Sequence, residues 1–256
     1  MYLTDFYHKL FRKQLSELPE ERLLISTLNA YSFNNTQKDR PFRRALLKSS
    51  LILPDGISIV LAMRFLSGEK LKKIAGADLL EWELTRLQGL KGKCFFLGSN
   101  EYTLKKIYER VKIEYPDIEV DYYQPPFKSR FTSDDNLAML QAVNSFSPDV
   151  LFIGMTAPKQ EKWAVGHFNE LKANHVCCIG AAFDFYAGTI KRAPDWMINI
   201  GLEWFYRLIR EPRRNWKRYI VGNTVFIGLI IKEKIRLNFS SIRNQRTIMP
   251  PFQKPM

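Results

Sequence analysis

Short apolar segments alternate with longer amphipathic segments along the first 180 residues of the chain. Each apolar segment has the length of a buried strand, and the six of them lie at residues 22–28, 49–54, 93–99, 118–123, 148–155 and 175–181. The periodicity between them predicts helices at residues 37–48, 56–67, 76–89, 101–114, 132–146 and 158–172. This alternation predicts an α/β fold with a Rossmann-like, mostly parallel sheet and helices on both faces.

The pair Asp55-Gly56 admits two interpretations. An Asp-Gly pair between apolar segments is typical of a tight hairpin, because both residues tolerate the backbone angles of such turns. Here the pair is followed by ISIVLAMRFL, an apolar stretch of helical length rather than a return strand. We therefore predict a junction between a strand and a helix, with the Asp55 carboxylate at the end of the strand.

Polar residues collect directly after the predicted strands. Because ligands bind beyond the carboxyl ends of parallel strands, these residues are candidates for a binding site. They are Thr27 and Asn29, Asp55 and Gly56, Gly98 to Asn100, Gly154 to Gln160, and Gly180 to Asp184. The first-turn N–H groups after Pro158 also favour an anionic or polar ligand, and Asp184 could accept from a base or ribose. Plain helix initiation and helix capping are the alternatives for these two segments.

The chain is strongly basic, with a formal net charge of +13 and a pI near 9.6. Residues 207–246 contain eleven basic and two acidic residues. Such a charge predicts an anionic partner, which can be a phosphorylated ligand, nucleic acid or an acidic membrane. We divide the chain into an α/β domain at residues 1–200, a basic helical C-terminal appendage at 201–246 and a flexible, Pro-rich tail at 247–256.

The densest basic stretch is RLIREPRRNWKR, at residues 207–218. Guanidinium groups bind phosphate oxygens and stabilise charge on a leaving group. A solvated helix face is the plain alternative, and attraction to anionic lipid is a third interpretation. The apolar neighbours that would strengthen a contact with lipid are Trp216, Tyr219, Val225, Phe226, Ile227 and Leu229.

Several kinds of site find no support in the sequence. It contains no GxxxxGK[ST] loop, and the single glycine of FFLGSNEYTLKK is no dinucleotide fingerprint. The three cysteines and three histidines show no zinc-ligand spacing, and no DxD triplet is present to hold a divalent ion. We therefore expect no metal and no cofactor. Without a signal peptide, a disulfide framework or an apolar segment long enough to span a bilayer, we expect a cytoplasmic protein.

Eight separated motifs agree, in order, with one known family. They are TLNAYSF, LPDGISIV, IAGADLL, CFFLGS, YPDIEV, SPDVLFIGMTAPKQEKW, IGAAFDFYAGTIKRAPDWM and GLEWFYRLIREPRR. Together they resemble the WecG/TagA/CpsF glycosyltransferases, also called glycosyltransferase family 26. The resemblance runs from residue 23 to residue 220, so the first 20 residues and the tail after residue 240 lie outside it.

The resemblance implies an inverting, metal-independent transfer of a sugar from a UDP-sugar to a polyprenyl-diphosphate-linked saccharide. Such a reaction belongs to the synthesis of teichoic acid, exopolysaccharide or related polymers of the bacterial cell surface. The implied partners are the UDP-sugar, the lipid-linked acceptor and an anionic membrane surface on the inner face of the cell membrane, without nucleic acid. UDP-N-acetylmannosamine, its uronic acid, UDP-glucose, UDP-glucuronate and UDP-galactose stay open as donors, and so does a homo-oligomeric state.

Residue by residue, the resemblance assigns the general base to Asp55 of LPDG. Thr27 and Asn29 of TLNA and Gln160 of PKQE are expected to line the same pocket, and Asp184 of GAAFD lies near the expected nucleoside site. The arginines expected to contact the diphosphate are Arg207, Arg213 and Arg214, followed by Arg210 and Arg218. The family commonly reads Gly-x-Gly-x-Pro-Lys-Gln-Glu where this chain reads GMTAPKQE, which implies a slightly altered donor pocket.

The alternative from another class is a non-enzymatic basic protein that binds nucleic acid or a membrane through its C-terminal face. Charge alone would permit that function. It does not explain, however, why polar residues collect at the strand ends. We therefore favour the enzyme.

Overall fold

The computed structural model describes residues 1–248, with the backbone alone at Arg214 and at residues 240–248. Six strands form one sheet: β1 (Leu23–Leu28), β2 (Leu51–Pro54), β3 (Lys93–Gly98), β4 (Glu119–Tyr123), β5 (Val150–Gly154) and β6 (His175–Cys178). They lie in the order β2-β1-β6-β5-β3-β4, and every pairing is parallel. The predicted α/β fold with a parallel sheet is confirmed.

Twelve α-helices occur in the described residues. They are α1 (Ala30–Lys38), α2 (Arg40–Lys48), α3 (Ile57–Ser67), α4 (Gly76–Leu90), α5 (Glu101–Glu114), α6 (Ser133–Phe146), α7 (Lys159–His167), α8 (Ala182–Tyr186), α9 (Asp195–Asn199), α10 (Glu203–Arg210), α11 (Pro212–Trp216) and α12 (Gly222–Ile248). A π-helical turn at Lys217–Val221 joins α11 to α12, and a 3₁₀ helix at Leu3–Lys9 precedes the sheet. The helical nature of the C-terminal segment is confirmed.

The helix predicted at residues 37–48 is α2, but it starts at Arg40, because α1 ends at Lys38 and the two helices are separated at Asp39. The Asp39 side chain accepts from the backbone N–H of Phe42 at 2.9 Å, and Pro41 lies in the first turn of α2, so a new helix starts at this point. Helix α1 escaped prediction because its sequence AYSFNNTQK is rich in polar residues of weak helix propensity. The helix predicted at residues 158–172 ends early, at His167.

Successive residues of the central strands point to opposite faces of the sheet, and both faces are covered. Phe96 and Cys177 pack on one face with α4, α5 and α8, whereas Phe95 and Cys178 pack on the other with α6 and α7. Central strands that are apolar on both faces are typical of parallel sheets between helix layers. Most polar side chains of the sheet consequently lie at the strand ends, where the loops begin.

Helix α12 packs on the α/β domain. Phe226 and Ile230 are buried in a core cluster that also contains Phe33 of α1, and the Phe33 and Phe226 rings meet edge to face with centroids 5.6 Å apart. Farther along, Glu233 is buried and accepts from the backbone N–H groups of Leu3 (2.7 Å) and Thr4 (2.9 Å). The predicted tail at residues 247–256 falls outside the described residues from residue 249 onward.

Candidate active site

A cavity of about 980 Å³ opens at the carboxyl ends of the strands. Its walls come from the turns after β1, β2, β3, β5 and β6, and from the loop at residues 124–129 after β4. Side chains between residues 203 and 223 complete the wall. Parallel α/β sheets bind their ligands at this edge, so the sheet and the C-terminal segment together form the candidate site.

Asp55 lies at the end of β2, where its backbone N–H donates to the Leu28 carbonyl of β1 at 2.9 Å. Gly56 adopts a φ of +92° and turns the chain from β2 into α3, which confirms the predicted strand-to-helix junction. The Asn29 Nδ2 atom donates to Asp55 Oδ2 at 3.2 Å. Asn29 is itself fixed as the N-cap of α1, because its Oδ1 accepts from the Ser32 N–H at 3.0 Å. The amide of Asn29 therefore orients the Asp55 carboxylate.

The pKa of the Asp55 carboxyl is raised above its ordinary value, chiefly because burial penalises the charged form. The hydrogen bond from Asn29 acts in the opposite direction, whereas the nearby Glu203 carboxylate adds to the increase. The guanidinium charges of Arg207 and Arg218 also lower the pKa. A carboxylate with a raised pKa is a stronger proton acceptor, which is the property that a general base requires.

Arg207 of α10 and Arg218 of the π-helical turn both line the cavity. The Arg207 guanidinium lies 4.7 Å from the centroid of the Phe185 ring and donates to the Tyr219 hydroxyl at 3.4 Å. Arg218 lies 4.6 Å from the centroid of Tyr31, and its Nε is buried without a hydrogen-bond partner among the described residues. Aromatic faces thus position both guanidinium groups, whose N–H donors can bind an anion in the cavity.

The other predicted arginines differ in their placement. Arg210 lines the cavity, and its Nε donates to the Tyr206 hydroxyl at 3.2 Å. Arg213 is exposed on α11 and is not among the residues that line the cavity in the described part of the chain. The backbone of Arg214 belongs to α11, and its side chain lies outside the description. The structure thus brings three of the five predicted arginines to the cavity.

Thr27 and Asp184, both predicted from strand ends, line the cavity as well. Gln160 is buried in the first turn of α7, where its Nε2 donates to Glu161 Oε1 at 2.8 Å. Glu161 is buried too, and burial raises its pKa to about 7. Gln160 Oε1 and Glu161 Oε2 are buried without partners among the described residues. Glu161 escaped the sequence analysis because only the fold reveals that its carboxyl is removed from water.

Lys73 and Arg192 are among the further cationic residues that line the cavity, and neither was predicted. Lys73 lies between α3 and α4, and its Nζ donates to the Ile198 carbonyl of α9 at 3.3 Å. Arg192 donates to Asp78 Oδ1 at 2.8 Å, while its Nε is buried without a hydrogen-bond partner among residues 1–248. The two residues are far apart in sequence. The one signal that could have indicated them is that Lys73 directly precedes the motif IAGADLL and that Arg192 lies within TIKRAPDW.

The C-terminal segment exposes a row of large apolar side chains, here called the C-terminal apolar face. Its members are between 49% and 69% exposed, and they are Ile220, Ile227, Ile231, Ile235 and Phe239. Of the residues expected to face lipid, Trp216, Val225 and Ile227 are exposed. The expectation for Phe226 and Leu229 is wrong, because Phe226 is buried between α12 and the α/β domain and Leu229 packs against the same core.

Within residues 1–248, no helix has both the length and the apolar character that crossing a bilayer requires. The same residues contain no group of three or more Cys, His, Asp or Glu side chains placed to hold a metal ion. Cys94, Cys177 and Cys178 are free and buried.

A parallel α/β sheet, a strand-end carboxylate with a raised pKa and adjacent guanidinium groups are typical of an enzyme that transfers a group from a phosphorylated substrate. The comparison with known families makes the class specific. The chain belongs to the Glycosyl transferase WecG/TagA/CpsF family, which matches residues 6–240. The resemblance noted in the sequence is therefore confirmed, although the match begins at residue 6 and so includes most of the first 20 residues. The protein is a glycosyltransferase.

Three curated relatives share the name N-acetylglucosaminyldiphosphoundecaprenol N-acetyl-beta-D-mannosaminyltransferase. The protein of that name from Bacillus subtilis (strain 168) is 32% identical over 217 residues, covering 84% of this chain and 82% of the relative. The one from Bacillus spizizenii is 30% identical over 219 residues, covering 85% and 82%. The one from Staphylococcus aureus (strain MW2) is 26% identical over 217 residues, covering 84% and 82%.

Proposed function

We propose that the protein transfers N-acetylmannosamine from a UDP-linked donor to an N-acetylglucosamine carried on a polyprenyl diphosphate, in the synthesis of a cell-envelope polymer. The names of the relatives supply the sugar and the acceptor. The observation that carries the proposal is the placement of Asp55, half-buried in the cavity, beside the charges of Arg207 and Arg218. One site thus combines a proton acceptor with groups that stabilise a departing diphosphate.

The proposed reaction is a direct displacement. A hydroxyl of the acceptor sugar gives its proton to an Asp55 oxygen as its own oxygen bonds to the anomeric carbon of the donor. The bond from that carbon to the UDP oxygen breaks on the opposite side, so the configuration inverts. Asn29 holds the carboxylate in place for this step. A positioned base contributes on the order of 10²- to 10⁴-fold to such a rate.

The leaving group departs as UDP and carries the electron pair of the broken bond. Arg207 and Arg218 stabilise its charge, because their guanidinium groups are positioned before the reaction by Phe185, Tyr219 and Tyr31. Arg210 lies in the same wall.

The assignment of the arginines to the leaving diphosphate needs no metal ion to neutralise its charge. It predicts that transfer persists at an undiminished rate in excess EDTA. Loss of transfer in EDTA, restored by Mg²⁺ or Mn²⁺, would contradict it.

The protein binds peripherally to the inner face of the cell membrane in this account. The C-terminal apolar face supplies the insertion surface, and the basic side chains of the same segment attract anionic lipid. Enzyme and lipid-linked acceptor then share one surface, which raises their encounter rate.

The direct test is an assay of purified full-length chain with radiolabelled UDP-sugars and a polyprenyl-diphosphate N-acetylglucosamine acceptor. Transfer from UDP-N-acetylmannosamine, in preference to UDP-glucose, UDP-galactose and the two uronic acids, is the expected result. Transfer from another of these donors alone would replace the sugar in the proposal. No transfer from any donor, together with binding to random DNA, would favour the non-enzymatic alternative.

A further inference from the structure

Helix α3 presents an apolar row that begins inside the cavity and leaves it. Ile57, Leu61 and Phe65 are spaced four residues apart and so lie on one side of the helix. Ile57 lines the cavity directly after Asp55-Gly56, whereas Leu61 and Phe65 are 55% and 51% exposed. The row, here called the α3 strip, is about 12 Å long. It therefore leads from the proposed base outward to the surface.

Neighbouring helices border the α3 strip on two sides. The backbone of Gly201, just after α9, lies so close to Ile57 that a side chain there would collide with it. Beyond it, Ile200 is 59% exposed. On the other side Lys234 of α12 donates to the Leu66 carbonyl at 3.2 Å, with its ammonium 5.4 Å from the centroid of Phe65. The strip thus lies between Gly201, after α9, and Lys234 of α12.

Positive charge lies at the cavity end of the strip. Lys73 reaches the carbonyl of Ile198, which is close in sequence to Gly201, and Arg192 lines the same cavity. Residues 57–68 contain Arg64 and no acidic residue. An elongated ligand with an anionic head and a hydrocarbon tail matches this order of cations followed by apolar surface.

We propose that the α3 strip binds the first isoprene units of the polyprenyl acceptor, with the acceptor diphosphate held at Lys73 and Arg192. The inference rests on the proposed function, which requires a lipid diphosphate to place its sugar at Asp55. It assigns the acceptor to the side of the cavity formed by α3 and α9, and leaves the arginines of α10 and the π-helical turn to the donor. The polyprenyl chain then reaches the membrane along α3.

The test compares two acceptors that share the N-acetylglucosaminyl diphosphate head, one on a C55 polyprenyl chain and one on a single C5 isoprenyl chain. In the double variant Leu61→Gln, Phe65→Gln, kcat/KM for the C55 acceptor should fall about tenfold through an increase in KM. The reason is that two half-exposed apolar side chains no longer contact the polyprenyl chain. The value for the C5 acceptor should stay within twofold. Ile113→Gln, at an exposed apolar position of α5, is the matched control and should change neither.

Three results would overturn the inference. One is an unchanged kcat/KM for the C55 acceptor, and another is an equal loss for both acceptors, which would indicate damage to the cavity. The third is a parallel loss of binding to acceptor-free phosphatidylglycerol vesicles, which would make the strip a general membrane contact. The inference requires that vesicle binding by the double variant equal that of the unsubstituted chain.

A second measurement does not depend on sugar transfer. Farnesyl diphosphate with a diazirine in its first isoprene unit, irradiated with the full-length chain, should label residues 57–65 of α3. Labelling confined to α12, or no labelling, would overturn the inference. If the unsubstituted chain transfers sugar to neither acceptor, the proposed function fails, and the labelling pattern still decides whether α3 binds a prenyl diphosphate.

Discussion

Asp55 and Asn29 form a pair of side chains whose coupling can be tested by exchanging a single group. Asn29→Asp keeps the oxygen that caps α1 and replaces the NH₂ donor with a second carboxylate. Two carboxylates at hydrogen-bond distance cannot both ionise easily, so the pKa of Asp55 should rise further. Because the base must be unprotonated, the acid limb of kcat/KM should move to higher pH by more than one unit.

The pH profile of this variant has a suitable control. Asn144→Asp adds the same charge at a position whose side chain contacts Glu170 and Lys172 and does not line the cavity. Its acid limb should coincide with that of the unsubstituted chain. An unshifted limb in Asn29→Asp would show that the acid limb does not report the titration of Asp55.

The raised pKa of Glu161 predicts how the stability of the folded protein depends on pH. Its pKa is raised to about 7, from the 4.5 expected for the unfolded chain. The folded state therefore holds a proton that the unfolded state loses, and the resulting stabilisation is fully present below pH 4.5 and lost as the pH rises through 7. The shift corresponds to about 3 kcal/mol.

Glu161→Gln removes this titration and keeps an acceptor for Gln160. The free energy of unfolding from urea titrations should fall between pH 5 and pH 8 in the unsubstituted chain by about 3 kcal/mol more than in the variant. Equal slopes for the two proteins would contradict the assignment of a raised pKa to Glu161.

At the scale of the element, the strands and the junction after β2 were predictable, whereas the orientation of α12 was not. Apolar runs identify buried strands, and ISIVLAMRFL after Asp55-Gly56 has the length of a helix. In α12, however, apolar residues lie all around the helix, so periodicity could not show that Phe226 faces the core and Ile227 faces solvent. That choice depends on Phe33 and the N-terminal residues, which lie far away in sequence.

Adjacent positions of α12 provide a test of this packing. Phe226→Ala should reduce the free energy of unfolding by about 3–5 kcal/mol, because it leaves a cavity against Phe33. Val225→Ala, at the exposed neighbouring position, should change it by less than about 0.5 kcal/mol. Equal effects of the two substitutions, measured by urea denaturation, would mean that α12 is not packed on the α/β domain.

At the scale of the whole molecule, the site joins parts of the chain that sequence reasoning treats separately. Strand ends and the basic segment were predicted, but the approach of Lys73 and Arg192 to one cavity is a product of tertiary structure. The resemblance implies a diphosphate contact for Arg213, yet Arg213 is exposed on α11, because a motif alone does not determine which side of a helix faces the ligand.

The prediction that belongs to the whole molecule is binding to a membrane through the C-terminal apolar face. Replacing Ile227, Ile231 and Ile235 by Gln should weaken partition into phosphatidylglycerol vesicles by tenfold or more, since each is about half exposed on the C-terminal apolar face. Leu137→Gln, an exposed leucine of α6, should leave partition unchanged. Partition should also fall with added salt. If the triple variant binds vesicles as well as the unsubstituted chain, another surface contacts the membrane.

The measurement that tests the central claim most directly is the turnover number of Asp55→Asn, set beside its binding of UDP. The substitution keeps the shape of the side chain and removes its ability to accept a proton, so kcat should fall by about 10²- to 10⁴-fold. The thermal shift produced by UDP should persist, because the arginines proposed to bind the diphosphate are untouched. A turnover number near that of the unsubstituted chain would show that Asp55 is not the base.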